Sequence, residues 1–232
     1  MISPRERLIV ALDVASAADA HRMVSSLGDV IQFYKVGMQL YTAEGPGMVR
    51  DLVMSGKKIF LDLKYHDIPN TVGAAVREAA RLGVSMLTVH ASGGTKMLRA
   101  AVDAARQTNS DLAVLAVTVL TSMDENDLHQ TGIQDSIAEQ AVRLGKMALN
   151  AGCAGVVSSA REVKALRASL GGAFLAVTPG VRPAGSAAGD QARVVTPAEA
   201  IAAGATNIVV GRPITAAADP VLEAQKILRE IA

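Results

Sequence analysis

Apolar runs rich in Val, Ile and Leu recur along the whole chain as LIVALD, IQFYKVG, KKIFLDLK, SMLTVHA, LAVLAVTVL, AGVVSS, AFLAVTPG and NIVVGR. The segments between them are Ala-rich. In TVGAAVREAARLG and TKMLRAAVDAARQ, apolar positions return every three to four residues, the period of one buried helix face. Several of these segments close on glycine, as in RLG and NAG, the residue expected at a helix C-terminus because it enters left-handed backbone without strain. Near-continuous apolar strands alternating with helices predict a parallel sheet covered by helices, since a parallel strand needs a crossover to return. Eight such units in 232 residues predict an α/β chain folded as a compact (β/α)8 TIM barrel, one domain over residues 1–232. A doubly wound open sheet is the structural alternative. It usually carries a Gly-rich fingerprint after its first strand, where this chain has ALDVAS.

The polar residues at the ends of the runs favour the barrel. Asp13 is read as the polar end of the first run, Lys35 of the second, Asp62 and Lys64 of the third, His90 of the fourth, Thr121 of the fifth and Arg212 of the eighth. A barrel brings all of these to its C-terminal mouth, where active sites of this architecture are built. Strand-end polar residues meeting water account for one or two such positions and do less well with the set.

The third run raises the sharpest question, because an apolar lead-in finishes on Asp62, Lys64 and Asp67. Residues two apart on a strand share a face, so Asp62 and Lys64 are expected in the mouth while Leu61 and Leu63 pack toward the helices. Asp67 lies beyond the strand, and Ile68-Pro69-Asn70 turns the chain toward the next helix, which lets Asp67 project away from its own barrel. An exposed Asp62–Lys64 pair is worth at most about 1 kcal/mol. With Lys35 on the neighbouring strand, alternating cations and carboxylates instead form a neutralising array in a low-dielectric cleft, where removing one partner is costly. A lysine flanked by carboxylates keeps its proton, which makes it a poor Schiff-base nucleophile and a good proton donor to a developing carbanion. A fixed carboxylate beside it repels a substrate carboxylate and favours its departure as CO₂. Together they describe decarboxylation without a cofactor.

A second constellation lies near the end of the chain. VTPGVRPAG offers Arg182, GDQARV offers Gln191, and NIVVGRPIT places Gly211 and Arg212 after the eighth run. Loops after strands seven and eight are the common phosphate cradle of barrels: glycine lets backbone N–H groups approach, and arginine adds bidentate charge. The stretch Pro183 to Gln191, PAGSAAGDQ, is small and Gly-rich, which suits a loop that closes over a phosphate.

Composition narrows the partners. Half of the residues are hydrophobic, ample for one large core, and no Pro/Ser-rich or charged linker divides the chain. Lys and Arg total 23 against 22 Asp and Glu, so no global field steers the protein to nucleic acid or an anionic membrane. Cys153 is the only cysteine, so an intrachain disulfide is impossible, and it reads as a small core residue in a chain from a reducing compartment. MISPRERLIVALD has no apolar stretch ahead of a small-residue cleavage site, and the longest apolar runs are too short to cross a bilayer. The expectation is a cytoplasmic protein.

The sequence resembles orotidine 5′-phosphate decarboxylases over nearly its whole length. The signature D-x-K-x-x-D-I-P-N-T stands here as DLKYHDIPNT, accompanied in order by ALDV, FYKVG, VHASGG, VLTS, VTPGVRP and VVGRP. D-x-K-x-x-D alone is shared by a wider decarboxylase and aldolase group; the ordered set is far more specific. The resemblance implies a homodimer of barrels in which each active site borrows residues from the partner chain, with no cofactor and no metal. By it, Lys35, Asp62 and Lys64 join Asp67 of the other subunit in a charged tetrad, and Lys64 donates the proton to the carbon that loses CO₂. Asp62 faces the departing carboxylate, Asp13 and Lys35 contact the ribose, and Ile68 and Thr71 come from the partner. Thr121 meets the pyrimidine, while Arg182, Gln191, Gly211 and Arg212 hold the phosphate.

The rival readings use the same scaffold. Magnesium-dependent sugar-phosphate decarboxylases and hexulose-phosphate synthases resemble this chain but carry a glutamate where FYKVG has Lys35. A phosphopentose epimerase requires an H-x-D metal pattern that His66 and His90 do not supply; His90 is expected to hydrogen-bond locally and His66 to pack beside the site. A non-catalytic phosphate-binding barrel is expected to have lost Lys64 or Asp62, and both are present.

Overall fold

A closed barrel of eight parallel strands is seen in the computed structural model, which describes residues 3–109, 111–183 and 195–232. The strands follow one another round the barrel in chain order: β1 (Leu8–Ala11), β2 (Phe33–Gly37), β3 (Lys58–Tyr65), β4 (Met86–His90), β5 (Ala113–Val117), β6 (Gly155–Val157), β7 (Leu175–Thr178) and β8 (Asn207–Val210). β8 pairs with β1, Ile9 standing opposite Val209, and closes the ring. Each of the eight apolar runs contributes one strand, as the sequence pattern predicts. The helices in chain order are α1 (Pro4–Arg7), α2 (Ala17–Leu27), α3 (Met38–Met54), α4 (Pro69–Arg81), α5 (Gly94–Thr108), α6 (Glu125–Gln130), α7 (Ile137–Asn150), α8 (Ala160–Leu170), α9 (Pro197–Ala202), α10 (Arg212–Thr215) and α11 (Pro220–Glu230). Among the described residues, no helix is long and apolar enough to cross a membrane.

Local chemistry sets the helix ends. The Ser16 hydroxyl accepts from Asp19 N–H at the start of α2, Ser136 and Thr196 form capping boxes before α7 and α9, and Asp219 caps α11. At the other ends, Gly83 and Gly152 take left-handed backbone just past α4 and α7, where RLG and NAG place them.

Strand alternation divides the core in two. Ile9, Phe33, Phe60, Met86, Leu115, Val177 and Val209 fill the barrel interior. Their neighbours Val10, Tyr34, Leu61 and Leu87 pack outward with helix residues such as Val76, Leu98 and Leu144. Full burial of such a side chain stabilises the fold by about 1.5–3 kcal/mol. Cys153 belongs to this outer core, and burial pushes its thiol up to about 12. The shortest strand depends on a glycine: a Cβ at Gly155 would stand 2.0 Å from the Leu175 carbonyl oxygen, a contact only backbone movement relieves.

The inward phase continues toward the C-terminal mouth and changes character there. Two residues beyond Phe33 comes Lys35, two beyond Phe60 comes Asp62, and two beyond Met86 comes Thr88. An apolar plug thus carries a charged and polar layer above it.

Candidate active site

β2 and β3 set the charged layer, with Lys35 opposite Phe60 and Gly37 opposite Asp62. Lys35 Nζ donates to Asp13 Oδ1 at 2.8 Å and lies 4.0 Å from Asp62 Oδ2. Lys64 Nζ donates to the same Asp62 oxygen at 2.9 Å. The side chains of Lys35, Asp62 and Lys64 are only 10%, 14% and 25% exposed, against 56% for Asp13, so the first three depend on one another rather than on water. Gly37 leaves room for this arrangement: a Cβ there would lie 2.8 Å from Lys35 Nζ and 3.2 Å from Asp13 Oδ1.

Lys64 does reach the mouth, though not by simple strand alternation. Its φ is +53°, and among the described residues it is the one non-glycine in left-handed backbone. Such a conformation costs on the order of 1–2 kcal/mol in an L-residue. The β3–β4 register slips here. Leu61 pairs with Leu87 and Tyr65 with Val89, which leaves Asp62, Leu63 and Lys64 opposite the single residue Thr88. The Thr88 hydroxyl fills the gap, accepting from Lys64 N–H at 2.8 Å and donating to Asp62 Oδ1 at 3.0 Å. Leu63 packs toward the helices as its phase predicts.

These groups form one end of a cleft of about 620 Å³, a size suited to a small organic ligand. Phe60, Val117, Val157 and Val209 give it an apolar floor. Thr121 also lines it, from the turn beyond β5 rather than from the strand itself, because the ladder ends at Val117. The sector formed by the loops after β7 and β8 contributes Gly180, Arg182, Gly211 and Arg212. Val181 pairs with Val195, and Arg182 N–H donates to the Val195 carbonyl at 2.9 Å, which ties together the two ends of the β7–α9 connection. Arg182 is 7% exposed, and burial, followed by repulsion from Arg212, lowers its pKa below the usual guanidinium value. Two cations drawn together in this way favour an anionic ligand. Gln191 lies outside the described residues, as does the loop expected to close over the phosphate, apart from Pro183.

His90 ends β4 beside His66, with ring centroids 5.5 Å apart and planes tilted by 32°. Burial, then the neighbouring His66 and Lys64, lowers the His90 pKa, and Asp62 opposes the shift. The His66 ring is thus the neighbour that packs against His90 beside the site. Among the described residues, no three His, Cys, Asp or Glu side chains are grouped to hold a metal ion.

Comparison with known proteins follows the same lines as the geometry. Residues 6–227 match the sequence profile described as "Orotidine 5'-phosphate decarboxylase / HUMPS family". The chain belongs to this family. It is 53% identical over 230 residues to an orotidine 5′-phosphate decarboxylase of Afipia carboxidovorans, covering 99% of this chain and 96% of that protein. With the orotidine 5′-phosphate decarboxylase of Moorella thermoacetica it shares 49% identity, covering 98% of this chain and 92% of the relative. The crystal structure of the Lactobacillus acidophilus orotidine 5′-phosphate decarboxylase superposes with a TM-score of 0.86 at 42% identity, covering 97% of this chain and 98% of that one.

Within this member of the orotidine 5′-phosphate decarboxylase / HUMPS family, one barrel gathers Asp13, Lys35, Asp62, Lys64, Thr121, Arg182, Gly211 and Arg212 around the cleft. It does not bring Asp67, Ile68 or Thr71 there. All three are exposed at the start of α4, where Ile68 N–H donates to Asp67 Oδ1 at 2.6 Å and Ile68 is 66% exposed. Thr88 is a polar residue that sequence reasoning missed, as are Ser122 and Ser158 of the cleft lining. The signal for Thr88 was a hydroxyl on the inward phase of SMLTVHA, two positions after Met86 and two before His90.

Proposed function

We propose that the protein converts orotidine 5′-monophosphate to uridine 5′-monophosphate and CO₂ without a cofactor, as a step of pyrimidine biosynthesis in the cytoplasm. The observation that carries this reading is the 2.9 Å contact of Lys64 Nζ with Asp62 Oδ2 at the charged end of a cleft whose β7–β8 sector is cationic. The bond from the pyrimidine ring to the carboxylate carbon breaks, CO₂ leaves, and the electron pair stays on the ring carbon. Lys64 Nζ then donates its proton to that carbon and is reprotonated by solvent. Asp62 faces the departing carboxylate. Its low exposure strengthens the repulsion that neutral CO₂ relieves. Lys35 and Asp13 hold the ribose, Thr121 meets the pyrimidine, and Arg182, Gln191, Gly211 and Arg212 hold the phosphate.

A second copy of the chain completes the site, supplying Asp67 as the fourth charge together with Ile68 and Thr71. The exposure of Ile68, a large apolar side chain beside a carboxylate, supports a covered face at this point. Phosphate binding lies remote from the reacting carbon, so its energy is available to assemble the charged end.

This division of labour has a test that separates anchor from chemistry. Arg212→Ala is expected to lower kcat/KM for orotidine 5′-monophosphate about 10- to 100-fold, the loss of a charge-assisted contact. The same variant leaves the much slower turnover of orotidine, which has no phosphate, unchanged. An equal loss on both substrates contradicts the phosphate assignment, and absence of turnover by the unaltered protein contradicts the function.

A further inference from the structure

We infer that Thr88 is a positioning residue for the decarboxylation, an inference that rests on Lys64 and Asp62 being the reacting pair. Thr88 is fully buried on β4 and does not line the cleft, so it acts through other residues rather than on a ligand. A threonine hydroxyl has one proton to donate and two lone pairs. Here the proton goes to Asp62 Oδ1 at 3.0 Å and a lone pair takes Lys64 N–H at 2.8 Å. The other Asp62 oxygen takes Lys64 Nζ at 2.9 Å, which closes a ring through the Asp62 carboxylate and through the side chain and backbone N–H of Lys64.

That ring acts on both residues. At the register slip the β4 backbone meets three β3 residues with one, and the Thr88 hydroxyl replaces the missing ladder partner of Lys64 N–H. It thereby helps to hold Lys64 at φ +53°, which aims the ammonium into the mouth. The same hydroxyl fixes the Asp62 carboxylate about its terminal torsion. Oδ1 is engaged behind, so Oδ2 is the oxygen presented to Lys64 and, at 4.0 Å, to Lys35. A valine fills the same space and serves neither bond. Misplacing a reacting group by about 1 Å costs on the order of 10²-fold in rate.

The test compares kcat and KM for orotidine 5′-monophosphate, and affinity for uridine 5′-monophosphate, in the unaltered protein, Thr88→Val and Thr88→Ser. Thr88→Val is expected to lower kcat about 10- to 100-fold while KM and product affinity stay within about threefold. Thr88→Ser, which keeps the hydroxyl, is expected within about threefold of the unaltered protein in every constant. A valine variant with kcat within about twofold of the original overturns the inference, as does a serine variant as impaired as the valine one. Should Thr88→Val fail to fold, the serine variant decides alone: a folded Thr88→Ser with kcat lowered more than about tenfold overturns it. Failure of the unaltered protein to turn over is a separate result, seen without any variant, and removes the parent reading and this inference together.

Discussion

Lys64→Ala is expected to lower turnover of orotidine 5′-monophosphate by at least about 10⁴-fold while affinity for uridine 5′-monophosphate stays within about tenfold. The split follows from where the ammonium sits. Lys64 Nζ is bound to Asp62 at the charged end of the cleft, whereas the proposed phosphate contacts come from Arg182, Gly211 and Arg212 in the β7–β8 sector. Removing it deletes the proposed proton donor and leaves Asp62 with Lys35 4.0 Å away as its remaining cationic neighbour in the cluster. The variant keeps a β-carbon, so the left-handed backbone remains as strained as before, and circular dichroism is expected to match that of the unaltered protein. Steady-state kinetics alongside product titration measure both halves. Near-normal turnover removes Lys64 as the donor; a parallel collapse of product affinity assigns it to binding instead.

Mixing two inactive variants is expected to restore activity. Asp67→Asn chains keep Lys64, Lys64→Ala chains keep Asp67, and a hybrid of the proposed dimer holds one site with both groups intact. At equal amounts and free exchange, half of the dimers are hybrids with one competent site in two, so about one quarter of the original activity per chain is expected. The structural ground is the placement of Asp67, Ile68 and Thr71 at the exposed start of α4, outside the cleft of their own barrel. Native mass spectrometry measures subunit exchange and an activity assay measures recovery. Confirmed exchange with no recovery contradicts shared sites.

The barrel was readable because parallel strands buried on both faces read as continuous apolar runs, and each of the eight runs became a strand. Strand limits were less readable. LAVLAVTVL runs nine residues in sequence, yet β5 stops at Val117, and Thr118 instead donates N–H and Oγ1 to the Val157 carbonyl. Thr121 therefore reaches the cleft from a turn. Lys35, Asp62 and Arg212 were legible because a charge on the inward phase, or just beyond an apolar strand, is costly unless it faces a polar mouth. The slip that turns Lys64 was not, since nothing in DLKYHD marks a non-glycine for left-handed backbone. Thr88 was passed over for a related reason: a buried threonine reads as an ordinary strand residue until its hydroxyl is seen between Asp62 and Lys64. Asp67, Ile68 and Thr71 were named from the ordered family motif alone, and they do not line the cleft of their own barrel.

The most direct test of the account is the ultraviolet absorbance of orotidine 5′-monophosphate on adding the purified protein, recorded with and without a metal chelator. Conversion to uridine 5′-monophosphate at the same rate is expected in both. No conversion by folded protein, or conversion that the chelator abolishes, contradicts the proposed function and directs attention to metal-dependent chemistry on sugar phosphates.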